Sequence, residues 1–163
     1  MVSPLGLGLF VIDVGLWIGG LSLIGLADLK TACRQIFLVG IINAILTAWL
    51  LSMHDYLSAC IIGFAGCYNF LQAGLIGFME GTDAKTVGKV LSFVGIFVII
   101  MGFYLVSLKA IWTGIYAIIA GIVLQFYLAA THGKATKTCG WIIVILMLID
   151  TALSFPITWE LIV

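Results

Sequence analysis

The stretch VLSFVGIFVIIMGFYLV, residues 90–106, contains no charged side chain and lies between Lys89 and Lys109. A bilayer core about 30 Å thick requires about 20 residues of α-helix at a rise of about 1.5 Å per residue. Five other parts of the chain are similarly long and apolar: residues 5–26, 36–53, 56–79, 110–130 and 140–163. Each run is long enough to span a bilayer, and the sequence therefore predicts an all-α bundle of six transmembrane helices.

The composition agrees with a chain that lies almost wholly in a membrane. The chain has 163 residues, a mean hydropathy of +1.31, 64% hydrophobic residues and 9% charged residues. A surface so poor in charge cannot be solvated as that of a globular domain is. The formal net charge is zero, so we expect no basic patch for nucleic acid. We predict one membrane domain over residues 1–163, with the lipid bilayer as a partner and no cofactor or metal.

The basic residues predict how the bundle is oriented. Lys109 lies in the connection between the fourth and fifth runs. The other six basic residues lie in the connections after the first, third and fifth runs: Lys30, Arg34, Lys85, Lys89, Lys134 and Lys137. The positive-inside rule places Lys- and Arg-rich connections in the cytoplasm. We therefore expect both termini outside. We also predict that the protein is a multi-pass protein of the bacterial cytoplasmic (inner) membrane.

Two acidic residues, Asp13 and Asp150, lie well inside the first and last runs, and no Lys or Arg lies inside any run. A carboxylate at the centre of a membrane helix costs about 2.5–3.5 kcal/mol on insertion scales. Each acid is therefore expected to face the bundle interior or a wet path, or to be protonated. Helical spacing puts Trp17 on the face of Asp13 and Ser154 on the face of Asp150. The alternative is that the acids only join neighbouring helices by hydrogen bonds.

Aromatic residues lie at the same depth as the acids. Counting inward from the helix ends places Phe64, Tyr68 and both acids roughly 12–20 Å deep. Phe64, Tyr68 and Gln72 are spaced by four residues and share one helix face. Tyr116 and Tyr127 are eleven residues apart, so they project only about 20° apart on the fifth helix. These rings could line a common path, although aromatic side chains in membrane helices also serve packing.

Two further patterns predict helix packing. Gln125 projects about 180° from Tyr116, so it is expected to bond a neighbouring helix or protomer. Gly15 and Gly19 form a GxxxG face, which lets two helix backbones approach closely.

The third helix and the connection after it resemble the UreI/AmiS family of urea and short-chain amide channels. The family's third helix carries Gly-Phe and a Tyr four residues beyond the Phe, which correspond to Gly63, Phe64 and Tyr68. The next connection and helix start are also similar, at Gly81, Asp83, Lys85, Gly88, Phe93 and Val94. The family's Asn in helix 1 has no counterpart here, and Asp150 lies one turn beyond the position of its helix 6 Glu.

The resemblance implies a homo-hexamer in which each protomer encloses a narrow pore constricted by aromatic residues, Phe64 and Tyr68 among them. With the buried acids, it predicts a passive channel for urea or other small uncharged amides such as acetamide. Flat rings would sandwich the solute, and carboxyl and hydroxyl oxygens would accept its N–H groups. The predicted path is lined by Phe64, Tyr68, Asp13, Asp150, Trp17, Tyr116, Tyr127 and Ser154.

Two other functions stay open. The YaaH-like acetate uptake family is also similar, at Pro4-Leu5-Gly6-Leu7 and at Tyr68-Asn69-Phe70. It would imply a proton-coupled transporter of acetate or another small monocarboxylate, again six-helical and hexameric. An enzyme is not expected, because the sequence has no HExxH motif, nucleophile elbow or clustered histidines.

Overall fold

The computed structural model describes residues 3–78, 84–133 and 135–158, and every regular element in these ranges is helical. The helices are α1 (Pro4–Leu23), α2 (Leu29–Ser52), α3 (the consecutive parts Tyr56–Ile61, Ile62–Tyr68 and Asn69–Phe78), α4 (Ala84–Ser107), α5 (Ile111–Thr131) and α6 (Thr136–Thr158). All six are long and apolar enough to cross a membrane. The prediction of an all-α, six-helix membrane protein is confirmed. Gly81, Asp83 and Lys134 lie outside the described residues.

The helices α2, α4 and α6 begin four or more residues before their apolar runs, because polar residues can serve the first helical turn. α2 begins at Leu29, where the carboxylate of Asp28 accepts bonds from the backbone N–H groups of Lys30 (2.9 Å) and Thr31 (3.0 Å). The Thr31 hydroxyl also donates to this carboxylate. These bonds lower the pKa of Asp28 from its ordinary value, and the bond from the Thr31 hydroxyl has the largest effect. Apolarity marks the membrane span, whereas the cap marks the start of the helix.

The six helices form a ring in chain order. α1 packs against α2 and α6, α2 packs against α3, and α5 packs against α4 and α6. α3 and α4 close the ring, and theirs is the least extensive contact between ring neighbours. The sides of α1 and α5 that face the ring axis carry the buried Leu9, Leu16, Ala117 and Leu124. The ring is thus packed closely around α1 and loosely between α3 and α4.

Glycines bring α4 and α5 into backbone contact. A Cβ on Gly95 would lie 2.9 Å from the carbonyl oxygen of Gly121, and one on Gly102 would lie 2.8 Å from that of Gly114. The two pairs are antiparallel and seven residues apart on each helix, so they form one continuous seam. Small residues at such a seam allow the close van der Waals packing that holds membrane helices together.

A polar pair lies beside this seam. The Ser92 hydroxyl donates to Gln125 Oε1 at 2.6 Å, and Gln125 Nε2 donates to the Ser92 carbonyl at 2.9 Å. Tyr116, in contrast, bonds to α1. The prediction that Gln125 bonds a neighbouring helix on the side away from Tyr116 is confirmed.

The middle of α3 is a π-helix over Ile62–Tyr68, which the sequence did not predict. A π-helix bonds i to i+5 and is wider than an α-helix; such segments are frequent at functional sites. Here the widened part passes close to α2, because a Cβ on Gly66 would lie 2.8 Å from Cγ of Asn43. Phe64 and Tyr68 are carried by this segment, and Asn69 follows it directly.

Candidate functional site

Three helices contribute polar side chains to one buried group, which we call the polar cluster: Asp13 of α1, Tyr116 of α5, and Asp150 and Ser154 of α6. The Tyr116 hydroxyl lies 2.7 Å from Asp13 Oδ1, and the Ser154 hydroxyl donates to Asp13 Oδ2 at 2.9 Å. Asp13 is only 1% exposed. The prediction that the acids face the bundle interior is confirmed for both, since Asp150 is also fully buried.

The geometry around Tyr116 bears on the protonation of Asp13. The Tyr116 hydroxyl lies 2.7 Å from the Leu9 carbonyl oxygen as well as from the Asp13 carboxyl. A phenol has one proton to donate, whereas a protonated carboxyl can donate to the phenol oxygen. With a proton on Asp13 both short contacts are two-centre hydrogen bonds, whereas with an ionised Asp13 the phenol proton is shared between the two oxygens. A neutral carboxyl also avoids the cost of a buried charge.

Asp150 differs from Asp13 in having no such partners. Neither of its carboxyl oxygens has a hydrogen-bond partner within the described part of the chain. It lies one helical turn before Ser154, near enough to Asp13 for the two carboxyls to repel each other when charged. Asp150 is therefore a buried acceptor that the described residues do not satisfy.

A small axial cavity lies at the centre of the ring, on the inner side of Tyr116. Its volume is about 30 Å³, enough for one water molecule. Its polar lining consists of Asn69, Thr113 and Tyr116, and the remainder is apolar. Asn69 is 0% exposed, and within the described ranges neither the nitrogen nor the oxygen of its amide is bonded. The sequence analysis did not single out Asn69; a carboxamide at the middle of an apolar run was the available signal.

Tyr116 and Tyr127 share one side of α5, as their spacing predicted. The Tyr127 hydroxyl donates to the Leu16 carbonyl of α1 at 2.5 Å. This approach requires Gly19, because a Cβ there would lie 2.1 Å from the Tyr127 hydroxyl oxygen. Both tyrosines thus join α5 to α1. Tyr116 also reaches the axial cavity, and a role of either ring in lining a path stays a prediction.

The aromatic residues of α3 lie elsewhere. An outer groove of about 820 Å³ runs between α3 and α4 on the outside of the bundle, and its lining includes Phe64, Tyr68 and Gln72. The rings of Phe64 and Tyr68 stack at 5.9 Å with an interplanar angle of 15°. Tyr68 is 53% exposed. The outer groove and the polar cluster share no residue.

The structure therefore groups six of the eight predicted path residues into two regions and leaves two apart. Asp13, Asp150, Tyr116 and Ser154 lie together in the polar cluster, and Phe64 and Tyr68 lie in the outer groove. Tyr127 lies about three turns beyond Tyr116 on the same side of α5. The Trp17 side chain is 40% exposed although Asp13, one turn earlier, is buried. That all eight line one path stays a prediction.

An inner cavity of about 30 Å³ lies between the outer groove and the axial cavity. It shares Cys60 and Phe64 with the outer groove. It shares four residues with the axial cavity: Ile61, Ala65, Val98 and Ala117. Phe64, held against Phe97 at 4.7 Å between ring centroids, thus separates the outer groove from the interior.

Comparison with known proteins returned no match: no family model, no curated protein and no solved structure is significantly similar to the chain. The resemblance to urea and amide channels stays a prediction from the short motifs quoted above, of which Gly81 and Asp83 lie outside the described residues. No group of three or more His, Cys, Asp or Glu side chains suited to a metal ion occurs among residues 3–78, 84–133 and 135–158.

Proposed function

We propose that the protein is a passive membrane channel for small uncharged polar molecules, urea and short amides foremost. The observation that carries this proposal is the Asn69 amide, which is buried at the axial cavity and whose donor and acceptor have no partner among the described residues. Urea and amides also carry both donors and acceptors, so they can replace their water hydrogen bonds there. The Tyr116 and Thr113 hydroxyls supply further partners on the same cavity.

The surroundings of Asn69 favour an uncharged solute over an ion. The rest of the axial cavity is lined by apolar side chains such as Leu9, Ile12 and Phe70. An ion that lost its hydration shell would find too few ligands there to replace it. A cavity of about 30 Å³ is smaller than urea needs, so conduction requires the surrounding helices to separate transiently. The π-helical part of α3 borders this cavity and is the suitable place for such a movement.

The proposal includes an assembly and an orientation. We place the protein in the bacterial cytoplasmic membrane with the basic end of the bundle, marked by Lys30, Arg34, Lys85, Lys89 and Lys137, on the cytoplasmic side. We propose a homo-hexamer with one path per protomer, on the basis of the similarity to urea and amide channels.

Flux through proteoliposomes tests this function. Stopped-flow swelling with urea and acetamide is expected to be faster for the protein than for protein-free liposomes. Asn69→Leu removes both hydrogen-bonding groups and should lower urea flux about tenfold, since an unmet hydrogen bond costs about 1–3 kcal/mol. Asn43→Leu is the matched control, because Asn43 is equally buried but does not line the axial cavity. Equal flux for the wild type and Asn69→Leu, or no flux above protein-free liposomes, would contradict the proposal.

A second candidate is proton-coupled transport of acetate or another small monocarboxylate, and Asp150 is the observation that favours it. A buried acid with two unbonded oxygens beside a second acid can take up and release a proton during transport. In a passive channel Asp150→Asn should keep most of the flux, because an amide oxygen still accepts hydrogen bonds. In a coupled transporter it should abolish uptake, and so should a protonophore. Measuring both separates the two functions.

A further inference from the structure

The outer groove between α3 and α4 has the dimensions of a ligand site. Its volume of about 820 Å³ lies within the range of about 300–1,000 Å³ typical of small-molecule pockets. Along α3 it extends from Cys60 to Gln72, which is about 18 Å at a rise of about 1.5 Å per residue. It is therefore long enough to hold much of an extended hydrocarbon chain.

The polar groups of the outer groove are concentrated at one end. Lys89 and Gln72 lie at the basic end of the bundle, Tyr68 lies one turn further along, and Cys60, Phe64 and Phe93 provide a mostly apolar wall along the remainder. Lys89 is exposed and lies in the second turn of α4. A site with a cation at one end and an apolar body matches an anionic amphiphile lying along the helices.

Charge favours an anionic lipid as the occupant. Lys89 presents an exposed cation to the groove, and a lipid phosphate carries the matching charge. Anionic phospholipids are enriched in the cytoplasmic leaflet, where the positive-inside rule places Lys89.

We propose that the outer groove binds an anionic phospholipid, with one acyl chain along Phe64 and Phe93 and the phosphate against Lys89. The acyl chain of the lipid would cover the exposed side of the stacked Phe64 and Tyr68 rings. Because Phe64 also lines the inner cavity, a bound acyl chain would hold the Phe64 ring between the outer groove and the inner cavity. The proposal does not depend on which solute the protein conducts.

Native mass spectrometry of the detergent-purified protein tests this site. Dioleoyl phosphatidylglycerol and dioleoyl phosphatidylethanolamine have identical chains and differ in head-group charge. The wild type should retain the anionic lipid about tenfold more strongly, which corresponds to about 1.4 kcal/mol for a favourable charged hydrogen bond. Lys89→Gln should abolish this preference. Lys85→Gln should keep it, because Lys85 is equally exposed one turn earlier but does not line the groove.

A second variant tests the position of the acyl chain. Cys60 is exposed at the far end of the outer groove, so Cys60→Trp should fill that end and weaken retention of both lipids. Equal losses in Lys85→Gln and Lys89→Gln, no head-group preference in the wild type, or unchanged retention in Cys60→Trp would each overturn the proposal. So would a smaller oligomer mass for Lys89→Gln by light scattering, because the groove would then be a subunit interface.

Discussion

Counting residues along the helices places side chains of the polar cluster and of the outer groove at a similar depth, yet the surroundings of the two regions are opposite. In the polar cluster the Asp13 carboxyl is enclosed by α1, α5 and α6 and meets two hydroxyl groups. In the outer groove Tyr68 is 53% exposed and its neighbours are mostly apolar. Depth counted along a helix therefore does not tell which way a side chain points around the ring. That direction depends on the order of the helices in the ring and on the rotation of each helix about its axis.

The two acids show a further difference within the polar cluster itself. Both are buried and both lie inside a membrane span, but Asp13 has hydroxyl partners and Asp150 has none in the described chain. Asp13 is thus suited to holding helices together, whereas the unmet oxygens of Asp150 stay available to a solute or a proton. A buried polar group that folding leaves unsatisfied is a candidate for function.

The largest expected effect comes from removing each acid in turn. Asp13→Ala should lower the free energy of unfolding by about 2–4 kcal/mol, because the Tyr116 and Ser154 hydroxyls each lose a buried hydrogen-bond partner. Asp150→Ala should change it by less than about 1 kcal/mol, since removing two unbonded oxygens offsets the small cavity. Denaturation in mixed detergent micelles, followed by circular dichroism, measures both. Similar decreases in the free energy of unfolding of the two variants would contradict the proposed difference between Asp13 and Asp150.

A smaller effect is expected from a pair of tyrosines that differ in burial. Tyr116→Phe removes a buried hydroxyl with two partners and should cost about 1–3 kcal/mol. Tyr68→Phe removes the hydroxyl of an exposed ring and should alter stability by less than about 0.5 kcal/mol. The same unfolding measurement applies. An equal cost at both positions would show that Tyr68 is enclosed in the assembled protein and that the outer groove is not open to lipid.

The smallest effect is expected from the exposed acid Asp28, which sets a reference for the two buried ones. Its pKa is lowered by hydrogen bonds at the start of α2, chiefly from the Thr31 hydroxyl. A lowered pKa in the folded state stabilises the protein above the ordinary pKa, and this stabilisation is lost as the pH falls through the lowered value. Asp28→Ala should therefore lower the melting temperature slightly at pH 7 and not at all in strong acid. A lower melting temperature of Asp28→Ala that persists in strong acid would indicate a structural role for Asp28 beyond its charged hydrogen bonds at the start of α2.

Much of this fold was predictable because membrane spans are encoded in composition. The apolar runs give the number of helices, and the absence of Lys and Arg inside them indicates that Asp13 and Asp150 must turn inward. Helical periodicity also related Tyr116 to Tyr127 and set Gln125 on another side, as the structure confirms. These predictions succeed because they concern one helix at a time.

The tertiary structure decided which helix faces meet. The hydrogen bonds of Asp13 to Tyr116 and Ser154 join residues 103 and 141 positions apart, and no local pattern specifies such pairs. In a membrane helix nearly every side is apolar, so hydrophobicity hardly fixes rotation about the helix axis. Close packing at small residues fixes it instead, as at Gly19 beneath Tyr127 and at the glycine seam of α4 and α5. That packing, together with the π-helix in α3, placed Asn69 at the axis and Phe64 and Tyr68 in the outer groove.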